Sequence, residues 1–364
     1  MSKITAIQTD HYRIPLPVVL TDSTHGEMSH FELVTVRLRD EHGVEGMGYT
    51  YTVDAGGGAI HAVIERELKP LLLGQDASRI EQLWEEMWWK VHFVGRSGIV
   101  AFAIAAVDVA LWDLKGNLFR EPLWKLLGGH SPVVKGYAGG IDLMFPLEQL
   151  LEQAQSFQEK GFRAIKMKVG RDQLSEDVAR VSAMRDFLGP DFPLMVDANM
   201  RWSVAESIRA SRALADYDVY WLEEPTIPDD IEGYRRIATE GLLPVANGEN
   251  LHSLYEFQKI IAGSAVSFPE PDLATLGGIT VWMKVAHLAE AFNLPVTTHG
   301  VHDLHVHLLA AVPNASYLEA HGFGLERFME HPMIFKDGVT LAPDRPGHGI
   351  SLDWDQLAAS RNEN

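Results

Sequence analysis

In the second half of this chain, a short strand that ends in a charged residue recurs, each separated from the next by a helical stretch. Pro193 to Val196 leads to Asp197, Val219 to Leu222 leads to Glu223, and Leu243 to Ala246 leads to Glu249. Ala265 to Phe268 leads to Asp272, Leu294 to Thr298 leads to His299, and Tyr317-Leu318 leads to Glu319. The interval is roughly 25 residues, the length of one βα unit. Such alternation implies parallel strands, because a parallel neighbour is reached only through a crossover. A doubly wound open sheet and a (β/α)8 barrel both satisfy it. The barrel is preferred, because barrel chemistry gathers at strand C-termini, where these polar residues fall.

One strand earlier stands Ala164-Ile165-Lys166-Met167-Lys168-Val169-Gly170. Side chains alternate across a strand, so Lys166 and Lys168 share one face and Met167 takes the other. Two lysines side by side repel and cannot enter an apolar core unpaired. They face either solvent, as edge protection, or a pocket holding negative charge. Before them, Val133 to Tyr137 is expected as a strand and Pro146 to Lys160 as an amphipathic helix closed by Gly161. Ser175 is expected to open the next helix, which Gly189-Pro190 stops.

The first half reads differently. Ile4 to Tyr12 and Phe31 to Arg39 alternate apolar and polar residues, and Val44 to Thr52 continues the pattern after an Asp40-Glu41-His42-Gly43 hairpin turn. The stretches Leu20 to Glu27 and Asp54 to Gly58 carry the small polar residues of mobile loops. Residues 59–119 read as helices, and Ile99 to Leu118 is apolar nearly all round, hence interior. Asp113 within it reads as a buried structural partner. Leu126-Leu127-Gly128-Gly129 ends the block. The expected domains are 1–129, 130–324, and a C-terminal segment 325–364 that returns to the first.

Composition narrows the partners. There are 31 basic and 50 acidic residues, a net charge of −19, which argues against nucleic acid or an anionic membrane surface. An anionic small molecule is still admissible, because a dication and a few lysines can reverse a local potential. No cysteine is present, so thiolate chemistry is excluded. The N-terminus lacks a signal-peptide pattern, and no segment has the length of a membrane span, so a cytoplasmic location is expected.

Asp197, Glu223 and Glu249 end successive strands and should converge. Three carboxylates together repel unless a hard dication neutralises them, and oxygen-only ligation favours Mg²⁺ over Zn²⁺. A metal and Lys166 nearby should lower the pKa of Lys168 and make it a base. Asp272 beside His299 would fix the imidazole tautomer and raise its pKa. A base on each side of a substrate, next to a dication, suits removal of the proton beside a carboxylate, with the enediolate charge held by metal and donors.

Taken in order, the motifs resemble the mandelate racemase branch of the enolase superfamily. They are Val107-Asp108-Val109-Ala110-Leu111-Trp112-Asp113, Leu127-Gly128-Gly129, the Lys-x-Lys strand, Val196-Asp197-Ala198-Asn199, Leu222-Glu223-Glu224-Pro225, Gly248-Glu249-Asn250, Pro271-Asp272 with Gly277-Gly278-Ile279-Thr280, and Thr298-His299-Gly300. The resemblance implies an α/β fold: a (β/α)7β modified TIM barrel with an α+β capping domain built from both termini. It implies Mg²⁺ on Asp197, Glu223 and Glu249, Lys168 as one base, and His299 with Asp272 as the other. It implies Lys166 and Asn199 as contacts to the substrate carboxylate, and Glu319 as an acid hydrogen-bonded to the enediolate. The two N-terminal loops, with His25, resemble a specificity lid, and a homo-oligomer between dimer and octamer is expected. The polar lid and Asp303-Leu304-His305-Val306-His307 resemble acid-sugar dehydratases and the related anhydrogalactonate cycloisomerases. Asn247 and Glu270 depart from the family's usual residues.

The first functional expectation is Mg²⁺-dependent dehydration of a sugar acid to a 2-keto acid. The alternative is an isomerase on the same enediolate, either a racemase or epimerase or a cycloisomerase. A third, a non-catalytic sugar-acid or metal-binding protein, leaves the two bases without a purpose.

Overall fold

The structure, a computed structural model, describes residues 2–321 and 323–361. Strands β1 (Ile4–Thr21), β2 (Glu27–Asp40) and β3 (Glu45–Val53) form an antiparallel sheet in that order. The expected alternation of buried and solvated positions fails in the middle of β2, where residues 31–36 are all buried. Both faces of this sheet are covered. Phe31 and Leu33 join the core of the second half, while Val34, Val36 and Leu38 join a helical core.

That helical core is built by α1 (Gly57–Val63), a π-helical turn over Ile64–Leu68, α2 (Lys69–Leu72), α3 (Ile80–Val91) and α4 (Ile99–Phe119). Helix α4 is buried from Val100 through Leu114 with few breaks, as its sequence requires. It lies against β3 at backbone distance. A Cβ on Gly46 or Gly48 would fall 2.3 Å from the carbonyl oxygens of Ala110 and Ala106. Asp113 is structural, accepting hydrogen bonds from Met47 N at 2.8 Å and His348 N at 3.0 Å. A short helix, α5 (Leu123–Leu126), follows.

The second half opens with strict alternation: β4 (Val133–Gly139), α6 (Leu147–Glu159), β5 (Ile165–Lys168), α7 (Leu174–Leu188), β6 (Leu194–Asp197), α8 (Val204–Leu214) and β7 (Val219–Glu223). It continues with α9 (Ile231–Glu240), β8 (Val245–Asn247), α10 (Leu254–Ala262), β9 (Phe268–Pro269), α11 (Leu273–Leu276), α12 (Ile279–Ala291), α13 (His302–Ala311) and β10 (Tyr317–Ala320). The strands form one curled parallel sheet in the order β10-β4-β5-β6-β7-β8-β9. Its register places Lys168 opposite Asp197, and Asp197 opposite Glu223, on neighbouring strands.

Leu294 to Thr298 is not a strand. It makes one parallel bridge, Val296 with Ala315, and hydrogen bonds from Val296 N to Asn314 O (2.9 Å) and Thr297 N to Pro269 O (3.0 Å). Pro269, Pro271 and Pro295 supply no N–H, which cuts both this segment and β9 short. The C-terminal segment adds β11 (Val339–Leu341) antiparallel to β4 and ends in α14 (Trp354–Ala358). It also reaches the first sheet, through Arg13 N to Ser360 O (2.8 Å) and an Arg361–Asp10 ion pair. No helix of the described residues is long and apolar enough to cross a membrane.

Candidate active site

The strand ends of the curled sheet converge as their register dictates. Lys166 is 1% exposed and sits among three acids: Nζ pairs with Glu223, lies 2.7 Å from Glu319 Oε1, and lies 3.6 Å from Asp197 Oδ2. Lys168 pairs with Asp197 Oδ2 at 2.5 Å, and its backbone N–H donates to Asp142 Oδ1 at 2.9 Å. The two lysines therefore share one strand face that looks into acid, and the solvated-edge alternative is excluded.

Burial favours a neutral amine at Lys168, yet Asp197 outweighs it and holds Lys168 above the usual lysine range. The nearest charge to this amine is the Asp197 carboxylate, one of the acids whose charge a bound dication would share. Burial likewise opposes the charge on Lys166, and Glu223 and Glu319 raise it further still.

Asp197, Glu223 and Glu249 each offer an oxygen within 4.8 Å of the others. Burial pushes Glu223 up to about 8, against the pull of Lys166 and with help from Asp197. Lys166 alone does not offset that burial at Glu223, and a bound dication would supply further positive charge. Glu249 Oε2 is buried, lies 3.2 Å from His299 Nε2, and accepts no aligned hydrogen bond. A hard cation fits this oxygen-only set. A second group, His299, Glu319 and His321, is equally compact but mixes nitrogen and oxygen.

His299 follows the bridged segment, and Gly300 follows it with φ +63. A Cβ on Gly300 would lie 2.6 Å from Tyr51 Oη and 3.0 Å from Asp272 Oδ2, so the position admits only glycine. Gly300 N donates to Glu319 Oε2 at 2.9 Å. His299 Nδ1 lies 3.1 Å from Asp272 Oδ2, the oxygen that also accepts from Tyr51 Oη at 2.9 Å. Burial lowers His299, but Glu249, Asp272 and Glu319 override it and raise the imidazole to about 10. Asp272 also caps α11, its Oδ1 accepting from Ala274 N at 2.8 Å. In the strand order, β10 and β4 separate β5 from the His299 segment on one side, and β6 to β9 on the other.

Asn199 sits just past β6 with φ +40, a left-handed conformation asparagine tolerates. Its Oδ1 is buried without a partner. Asn199, Lys168, Glu249, His299, Glu319 and His25 all line one cavity of about 230 Å³.

The lid differs from the expected pair of mobile loops. Leu20 and Thr21 pair with Met28 and Glu27, so only residues 22–26 form the turn of a hairpin. Ser23 Oγ donates to Ala198 O at 2.6 Å, which docks that turn on the site. His25 is 48% exposed, with Nδ1 2.7 Å from Asp22 Oδ2. Burial of Asp22 is outweighed by its bond from His25, which holds the acid at about 2. Asp54 steadies the neighbouring loop by accepting from Ser29 N and His30 N.

Sequence reasoning named Asp22, Tyr51 and Asn250 only within longer motifs, without a role of their own, and passed over His321 and Phe323; all five also line the cavity. Strand alternation past Glu319 was a usable signal for His321, two residues on. Tyr51 arrives from the other sheet, and no local pattern marks it. Of the two residues noted as departures, Asn247 and Glu270 are fully buried, Asn247 on β8 and Glu270 just past β9; Glu270 Oε1 accepts from Tyr137 Oη at 3.2 Å.

Comparison with known proteins matches this geometry. Residues 3–128 match the mandelate racemase / muconate lactonizing enzyme N-terminal domain, and residues 149–356 the enolase C-terminal domain-like family. The chain is 57% identical over 354 residues, 97% of its length and 98% of the other's, to a 3,6-anhydro-alpha-L-galactonate cycloisomerase of Streptomyces coelicolor. A racemase of Streptomyces coelicolor A3(2) with bound magnesium superposes with TM-score 0.97 at 55% identity, covering 99% of this chain and 100% of that one. An L-talarate dehydratase of Polaromonas sp. JS666, complexed with Mg and L-glucarate, superposes with TM-score 0.95 at 35% identity, covering 100% and 98%. With both halves matched, the chain belongs to the mandelate racemase / muconate lactonizing enzyme family of the enolase superfamily.

Proposed function

We propose that this protein is a magnesium-dependent sugar-acid isomerase that opens the ring of a 3,6-anhydro-galactonate-type acid. Dehydration, the first expectation from sequence, yields to its alternative because the 57% identical relative is a cycloisomerase while the dehydratase stands at 35%. That identity, spread over 97% of the chain, is the observation that carries the choice. The site supports the step both reactions share. The proposal includes closure of the curled sheet into a (β/α)7β barrel, which the hydrogen bonds of Val296 and Thr297 favour.

In this reading Asp197, Glu223 and Glu249 hold the magnesium, which supplies positive charge to the carboxylate end of the substrate. Lys166, fully buried among Glu223, Glu319 and Asp197, sets the local potential and meets the carboxylate together with Asn199. Lys168 or His299 takes the proton on the carbon next to the carboxylate. The electron pair left there forms a double bond to the next carbon, whose bond to the ring oxygen breaks. That oxygen keeps the bonding pair and takes a proton, which His299 is placed to return. The enol then becomes a 2-keto acid of unchanged mass.

Incubation with Mg²⁺ in D₂O tests this. The anhydro acid is expected to give a 2-keto isomer carrying deuterium, with no loss of water, and chelation of Mg²⁺ stops it. A product lighter by one water from an aldarate, with the anhydro acid untouched, reverses the assignment to dehydration. Lys168→Ala is expected to slow turnover by roughly 10²–10⁴-fold, the usual worth of a positioned base.

A further inference from the structure

His321 is a wall of the cavity that none of the expected roles uses. It follows β10 directly, two residues beyond Glu319, so both side chains leave the strand on the same side. Its side chain is 6% exposed. Nε2 lies 3.7 Å from Glu319 Oε2, beyond hydrogen-bond reach, and Nδ1 is buried with no partner at all. The ring is pinned between two others: its centroid is 5.3 Å from that of His299 and 4.9 Å from that of Phe323, edge-on to the latter. A buried imidazole nitrogen without a partner is costly, and an unpaired polar atom on a cavity wall is the mark of a group kept for a ligand.

Resting on the isomerase reading above, we propose that His321 is a substrate-contacting residue that hydrogen-bonds the oxygen on the carbon next to the reacting one, the ring oxygen that must leave. The adjacency to His299 gives this its direction. His299 lines the same cavity; it is paired through Nδ1 with Asp272, and its Nε2 lies 3.2 Å from Glu249 Oε2, an acid of the metal-holding set. An oxygen held by His321 lies beside that nitrogen, positioned to receive the proton as its bond to carbon breaks. His321 itself neither gains nor loses a proton. Burial and the charge of His299 keep it neutral, with a pKa of about 3 despite Glu319. A neutral imidazole can donate from one nitrogen and accept at the other, as recognition of an ether or hydroxyl oxygen requires. A leucine in its place removes both ring nitrogens and so that bond, while still placing a branched side chain beside Phe323.

The test separates two rates in D₂O with Mg²⁺ and the anhydro acid proposed above: deuterium entry at the carbon beside the carboxylate, and appearance of the 2-keto product. In His321→Leu, deuterium entry into recovered substrate is expected to continue within about threefold, while product formation falls at least 100-fold. His321→Gln, which retains a donor and an acceptor, is expected to recover product formation in part. Equal loss of both rates in His321→Leu with a native melting curve, or loss of neither, overturns the role of His321. If the wild-type protein exchanges no proton of any such acid, the isomerase reading itself is overturned, and the role of His321 with it.

Discussion

At the scale of single residues, burial turns ordinary side chains into specific ones. Lys166 and Lys168 can sit inside the protein because acids surround them, and removing either leaves unpaired carboxylates. The same burial acts in the opposite sense on His307 of α13. It is fully buried, its Nε2 meets His348 O at 3.0 Å, and Nδ1 has no partner. Burial, and then His348, push its pKa from 6.5 down to about 3. The folded protein therefore holds His307 neutral while the unfolded chain protonates it below pH 6.5. Its contribution is present above that pH and is lost as the pH falls toward the folded value, at about 1.4 kcal/mol per unit. His307→Gln is expected to flatten the acid limb of stability by that slope, measured by urea unfolding across the window. An unchanged slope would show that His307 is not neutral in the fold.

At the scale of elements, close approach decides more than propensity does. Strand β3 and helix α4 meet backbone to backbone because Gly46 and Gly48 have no side chain to hold them apart. Gly48→Ala places a carbon 2.3 Å from Ala106 O, a helix carbonyl that cannot yield without moving α4. A loss of about 1–3 kcal/mol or more is expected, read from the urea midpoint. No change would mean that β3 sits farther from α4. The interior helix α4 and the amphipathic helix α6 were legible in sequence, because their hydrophobic patterns are local. The lid hairpin was not, since Leu20 and Thr21 become strand only by pairing with Met28 and Glu27. The segment at Leu294 read as a strand from its composition, but proline leaves it too few donors to build a ladder.

At the scale of the molecule, the two halves are tied by polar contacts as well as by a shared core. Asp108 of α4 accepts from Thr280 N at 2.9 Å and from Thr280 Oγ1 at 2.6 Å, at the start of α12. Asp108→Ala leaves both donors buried and unpaired, and a loss of about 1–3 kcal/mol per group is expected as a lower melting temperature. An unaltered melting curve would show that this tie carries no load. Tyr51 makes a second tie, reaching from β3 to Asp272, so the sheet of the first half touches the acid–histidine pair of the second. What the sequence determined by itself was the alternation of strand and helix and the chemical identity of each strand end, because both repeat within a window of a few tens of residues. What only the tertiary structure decided was which of those ends meet, and in what state of charge. Lys168 faces Asp197 because strand register sets the two opposite each other, and Tyr51 reaches the cavity from a sheet that no local pattern connects to it. Distance and burial arise from register and packing between remote segments, and these are properties of the assembled chain rather than of any stretch of it.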